Sequence, residues 1–145
     1  MIRLQYGFHN MKIIDLNKKQ IEQIENGLDE YDNQHILHPL GGHIYIGIEE
    51  DNKLIAGLIA DVTAFKILYV STVFVEEAYR KKGYGKKLIQ EMERRAKELG
   101  VTVIRIDTFG FQGSGFYESV GYEVVGSYEV KEEGYSEYFY IKRIK

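Results

Sequence analysis

Between residues 65 and 100 the sequence specifies a strand, a tight basic turn and a helix, in that order. FKILYVSTVFVEE alternates apolar residues and is rich in β-branched ones, which suits a half-buried strand. AYRKKGYG follows. Beyond it Leu88, Ile89, Met92, Ala96 and Leu99 recur on one helical face, with Lys87, Glu91, Arg94, Arg95 and Glu98 mostly turned away. Gly100 is placed to stop that helix as a C-terminal cap. A helix that starts at a strand's end presents its first unpaired N–H groups and the positive end of its dipole there. Gly83 and Gly85 remove side chains where an anion must approach the backbone, and Lys81, Lys82 and Lys86 add charge. The segment predicts a turn that holds phosphate. It is not a P-loop, because Lys86-Lys87 rather than Lys-Ser/Thr follow Gly85. It is not a dinucleotide fingerprint either, because the third small residue is replaced by Leu88. An ordinary strand-to-helix loop with a solvated basic face is the bland alternative.

Elsewhere the pattern is regular. IRLQY alternates as a first strand, and Ile21, Ile24, Leu28 and Tyr31 recur at helical spacing behind Asp15 or Asn17 as the cap. HILHPLGG breaks regular structure. HIYIGIEE and KLIAGLIADV flank Asp51-Asn52 as a hairpin. VTVIRIDTF reads as a strand and GFQGSGFYESVGY as a short helix. YEVVGSYEV and YSEYFYIKRIK read as two strands joined at Glu132-Glu133-Gly134. The order implies an α/β (α+β) chain with a central mixed sheet of about seven strands and helices on both faces.

The chain's 145 residues suit one domain, residues 1–145. The net charge is −3, which argues against nucleic acid as a partner. Yet Arg80, Lys81, Lys82, Lys86, Lys87, Arg94, Arg95 and Lys97 crowd one stretch, as a small anionic ligand held at one place requires. There is no cysteine, so a thiol nucleophile and a cysteine zinc site are ruled out. The N-terminal residues have the pattern of neither a signal peptide nor a membrane span, so no membrane partner and a cytoplasmic location are expected. His35, His38 and His43 fit no zinc spacing and are expected to line or flank a substrate site, with no metal. The tyrosine-rich terminal strands suit pairing in a homodimer.

Two of these segments together resemble the GNAT superfamily of N-acetyltransferases, in its small bacterial form. Arg80-x-x-Gly83-x-Gly85 is similar to that family's cofactor signature, between a Val-rich strand and a helix. GFYESVGYEVVG, after the next strand, resembles its Phe-Tyr-x-x-x-Gly-Phe/Tyr block. The alignable stretch runs from Ile44 to Ile141, and residues 1–40 match weakly.

The resemblance implies an acyl-CoA N-acyltransferase fold with a splay between two parallel strands. It also implies acetyl-CoA as cosubstrate and acetyl transfer to a primary amine by direct attack. It gives cofactor contacts to Val73, Phe74 and Val75, whose backbone would pair with pantetheine, and to Arg80, Lys81, Lys82, Gly83, Tyr84, Gly85 and Lys86 around the pyrophosphate. It makes Tyr117 the general acid for the leaving thiolate. Many members carry Asn seven residues before that tyrosine; here the position is Gly110, and Gln112 is the candidate to replace it. For the proton acceptor, Glu76, Glu77 and Asp61 stand at strand ends, and Glu76 is preferred. A non-catalytic acyl-CoA-binding or sensing domain is the alternative reading, and retention of Tyr117 favours the enzyme.

Overall fold

The computed structural model describes residues 10–36 and 41–145. The expected first strand, IRLQY, and His38 and Pro39 lie outside those residues. The chain separates into two compact units, residues 1–37 and 38–145.

The first unit holds helix α1, Lys18–Asn33. Asn17 caps it reciprocally. Its Oδ1 accepts the Gln20 N–H at 2.9 Å, and the Gln20 Oε1 accepts the Asn17 N–H at 3.0 Å. Two otherwise unpaired donors are thereby satisfied, a contribution of about 1 kcal/mol for such a cap.

The second unit is built on six strands: β1 His43–Glu50, β2 Lys53–Thr63, β3 Ile67–Val75, β4 Val103–Phe109, β5 Glu123–Val130 and β6 Tyr135–Arg143. They lie in the order β1-β2-β3-β4-β6-β5. The β3–β4 pair is parallel and the other pairs are antiparallel, so the sheet is mixed. Asp51 and Asn52 close the β1–β2 hairpin, with φ of 51° and 63°. Positive φ at both central residues is the geometry whose twist matches the strands, and Asp and Asn tolerate it. Helix α2, Tyr84–Leu99, connects β3 to β4, and helix α3, Gly110–Ser119, follows β4. Gly113 interrupts α3 with extended backbone at φ 172°.

One face of the sheet carries the core. Ile44, Ala60, Val70, Ile106 and Tyr140 are buried and linked by register across five strands. Leu88, Ile89, Met92 and Ala96 of α2 pack into the same cluster, as does Tyr117 of α3. The outer face of α2 is a charge network: Arg94 bonds Glu91 at 2.7 Å and Glu98 at 2.6 Å, and Arg95 bonds Glu91 at 2.9 Å. Arg94, and then Arg95, hold the Glu91 carboxyl down at about 2. Gly100 ends α2 at φ 92°, as expected for a left-handed cap.

Candidate active site

The site begins where β3 and β4 part. Their parallel pairing runs from Ile67↔Val103 to Val70↔Ile106 and no further. Beyond it β3 remains paired to β2, but its other edge is open. A bulge causes the change. Ala60 pairs with Val70 while Ile59 pairs with Thr72, which leaves Ser71 as the extra residue. The Ser71 hydroxyl donates to the Ile59 carbonyl at 3.3 Å and pins the bulge. Bulges bend and twist the strand that carries them. Past this one, Val73 and Val75 pair with Leu58 and Ala56 and so face the core. The Glu76 N–H donates to Ile55 on β2 at 2.9 Å. Alternation along the strand therefore turns the N–H groups of Val73 and Val75 to the open edge.

The basic turn follows. Lys81 and Gly83 are left-handed, with φ of 62° and 87°. Gly83 is the N-cap of α2, and no side chain caps this end. The first residue to donate back within the helix is Lys87, to the Gly83 carbonyl at 3.1 Å. The amides from Lys81 to Lys86 thus precede the ladder, with no acidic residue in the first turn. Arg80 fixes the approach: its Nε donates to the Val75 carbonyl at 2.8 Å, and its guanidinium lies 5.7 Å from the Phe74 ring centroid. Gly85 meets a second requirement, since a Cβ there would stand 3.1 Å from the Phe116 ring.

The opposite wall is α3. Tyr117 is only 8% exposed, and its ring contacts Phe116, Tyr122 and Tyr140. Burial pushes its hydroxyl up to about 12, so it is a protonated donor at neutral pH. The hydroxyl bonds no other described residue. No buried polar side-chain atom among the described residues lacks a partner, so this hydroxyl is not sealed in; it reaches the cleft.

These parts line one cleft of about 830 Å³. It gathers Val73, Phe74, Val75, Arg80, Lys81, Gly83, Tyr84, Gly85, Lys86, Gln112 and Tyr117, all singled out from sequence. Two of the singled-out residues stand apart. Lys82 lies against the Tyr79 ring at 5.6 Å, and the Glu76 carboxylate faces Lys53 Nζ at 3.4 Å, outside the cleft lining. Gln112 lines the cleft while its Oε1 accepts the Phe109 N–H at 2.9 Å, which leaves the amide NH₂ as the part that can meet a ligand. Phe116, the first residue of the Phe-Tyr block, lines it as well, and so do Tyr79, Phe111 and Gly113, which carry no sequence signal apart from their nearness to the two motifs. Among the described residues no helix is long and apolar enough to cross a membrane, and no group of three or more metal-ligating side chains assembles.

The sequence model of the acetyltransferase (GNAT) family matches residues 11–122, which include the turn and Tyr117. Blasticidin-S acetyltransferase of Streptomyces morookaense is 30% identical over 107 residues, 73% of this chain and 78% of that protein. An acetyltransferase of Agrobacterium fabrum is 36% identical over 78 residues, 54% of this chain and 56% of that protein. The crystal structure of an acetyltransferase from Bacillus cereus superposes with a TM-score of 0.86 at 29% identity, covering 94% of this chain and 100% of that one. A family match over most of the chain, together with a splayed parallel pair opening beside a basic glycine turn, has one consequence: the chain belongs to the GNAT family and is an acetyl-CoA-dependent N-acetyltransferase.

Proposed function

We propose that the protein acetylates a primary amine by direct attack on acetyl-CoA, with Tyr117 as general acid. One observation carries this reading: a single cleft joins the basic turn to the buried Tyr117, whose hydroxyl bonds no other described residue. In this reading the amides from Lys81 to Lys86 hold pyrophosphate, with Lys81 and Lys86 adding charge. The Val73 and Val75 edge pairs with the pantetheine arm as a short strand would. The Gln112 NH₂ stands in for the asparagine that Gly110 replaces. A backbone N–H near Val75 stabilises the oxyanion formed when nitrogen adds to the thioester carbon. The C–S bond then breaks and the thiolate takes the Tyr117 proton.

The test is thiol release from acetyl-CoA with a panel of primary amines. Blasticidin S comes first because a relative is named for it, followed by spermidine, lysine and hydroxylamine. Amine-dependent release that Tyr117→Phe suppresses supports the reading. Equal release by both proteins with every amine that reacts removes Tyr117 from the mechanism.

A further inference from the structure

We propose that Asp107 is the catalytic proton acceptor for the attacking amine and that Tyr69 positions it, with the amine entering from the sheet face opposite Tyr117. The proposal rests on the acetyl-transfer reading above and adds the group that completes it. β3 and β4 separate after Val70↔Ile106, and Asp107 is the next residue of β4. Ile106 and Thr108 on either side of it are buried toward the helices, at 3% and 6% exposure. Strand alternation therefore puts Asp107 on the other face. Tyr117 packs on the helix face, against Tyr140, whose register partner is Ile106. A trigonal carbonyl lying in the gap would thus have a hydroxyl on one side and a carboxylate on the other. This arrangement suits addition, because the nucleophile arrives from one side of the carbonyl plane and its proton acceptor must stand on that side.

The carboxylate is held and still available. The Tyr69 hydroxyl donates to both of its oxygens, at 3.1 and 3.2 Å. An ionised carboxylate accepts at about four lone-pair positions, so capacity remains for an amine N–H. Burial, and then the bond to Asp107, raise the Tyr69 hydroxyl above its ordinary value and keep it a donor. Arg105, the nearest cation on the same strand face, lies over the Tyr69 ring at 4.2 Å, and no ion pair holds Asp107 among the described residues. Glu137 and Tyr128 face it from β6 and β5 and bond each other. The other carboxylates are placed differently. Glu76 faces Lys53, Glu137 opposes Phe109, and Asp61 accepts from Tyr45 and pairs in register with Tyr69, where the sheet is closed.

The protons balance. The amine lone pair forms the C–N bond and the nitrogen becomes positive, which makes its N–H acidic enough for a carboxylate to remove. The C–S bond breaks and the thiolate takes the Tyr117 proton. Solvent returns a proton to Tyr117 and removes one from Asp107, leaving amide and free thiol.

Hydroxylamine is the probe, because it is small, strongly nucleophilic and largely unprotonated at neutral pH. Release above the non-enzymatic rate is measured at saturating acetyl-CoA. Asp107→Asn is expected to lower kcat by about 10²–10⁴-fold while acetyl-CoA still raises the melting temperature. Asp107→Ala is expected to regain activity when formate is added. Tyr69→Phe is expected to move the acid limb of the kcat profile upward, because the ionised carboxylate loses a hydrogen bond; a merely structural tyrosine would leave that limb in place. The proposal is overturned if Asp107→Asn stays within about threefold of wild type, well short of the general-base range. It is also overturned if the loss is matched by loss of the acetyl-CoA shift, or if Glu76→Gln loses more than Asp107→Asn. Wild-type protein inert toward hydroxylamine is assayed with the amine of the panel that reacts, and inertness toward the whole panel would instead overturn the direct-attack reading on which the proposal rests.

Discussion

Tyr117 and Tyr140 sit with ring centroids 5.8 Å apart, and removing one oxygen from each should have opposite consequences. The Tyr140 hydroxyl donates to the Ser114 carbonyl at 2.9 Å and to Glu118 Oε1 at 3.2 Å. Its ring is fully buried. Tyr140→Phe leaves a carbonyl and a carboxylate short of a donor, a loss of about 1–3 kcal/mol. For a chain of this size that lowers Tm by roughly 3–10 °C, with much less change in turnover per folded molecule. The Tyr117 hydroxyl has no described partner to lose. Tyr117→Phe should therefore keep stability within about 0.5 kcal/mol. If that hydroxyl delivers the proton to the thiolate, kcat should fall by about 10²–10⁴-fold, or roughly 2.7–5.4 kcal/mol of barrier. The effect belongs in kcat rather than in acetyl-CoA affinity, because the interaction forms only as the C–S bond breaks. Thermal melts of both variants, with single-turnover thiol release, separate the cases. A Tyr117→Phe enzyme that loses stability as Tyr140→Phe does, yet turns over within threefold of wild type, would show that Tyr117 is packing and that the acid lies elsewhere.

Gly85→Val should lower Tm, because its Cβ starts 3.1 Å from Phe116 and overpacking costs about 1–3 kcal/mol. It should also abolish the Tm rise that acetyl-CoA gives wild type; a full rise in a folded variant would place the cofactor away from this turn. If Lys81 and Lys86 of the cleft hold phosphate across water, acetyl-CoA affinity should weaken as salt rises. A salt-independent Kd would refute that. From neutral pH stability should stay level up to about 10, the ordinary tyrosine value, and fall above it. Tyr117 and Tyr140 are raised to about 12 in the fold, so the unfolded chain releases their protons first. Melts across this range check the sign, and Tyr117→Phe should show the shallower fall.

Much of this site follows from local chemistry, and local chemistry is what a sequence displays. The turn's shape was legible because Gly83 takes the positive φ needed where the helix begins, a local backbone requirement. The hairpin at Asp51-Asn52 was legible for a similar reason, since both residues accept the positive φ it needs. The illegible parts depend on partners far along the chain. Gly85 gives room to Phe116, thirty-one residues further along. Glu76 looks available at a strand end until Lys53, across the hairpin, is placed beside it. Gln112 looks free until its oxygen is found on the Phe109 N–H. Asp107 is inconspicuous in VTVIRIDTF, because its position is defined by where a neighbouring strand stops pairing.

That stop traces to one residue. Read by strict alternation, ILYVSTVFV would put Val73 and Val75 on the face of Tyr69, with Thr72 and Phe74 toward the helices. A one-residue shift in register exchanges the two faces of everything beyond it. The extra Ser71 makes that shift, and Val73 and Val75 join the core while Thr72 and Phe74 face outward with Tyr69. The same bulge turns β3 away from β4 at Val70, so the edge that would have bonded β4 is left facing a cleft. Without Ser71 the pairing could continue past Ile106, and the gap beside Asp107 and Tyr117 would close. Fold and chemistry are therefore not separable here: the irregularity that interrupts the sheet also sets a carboxylate on one side of the gap and a tyrosine hydroxyl on the other.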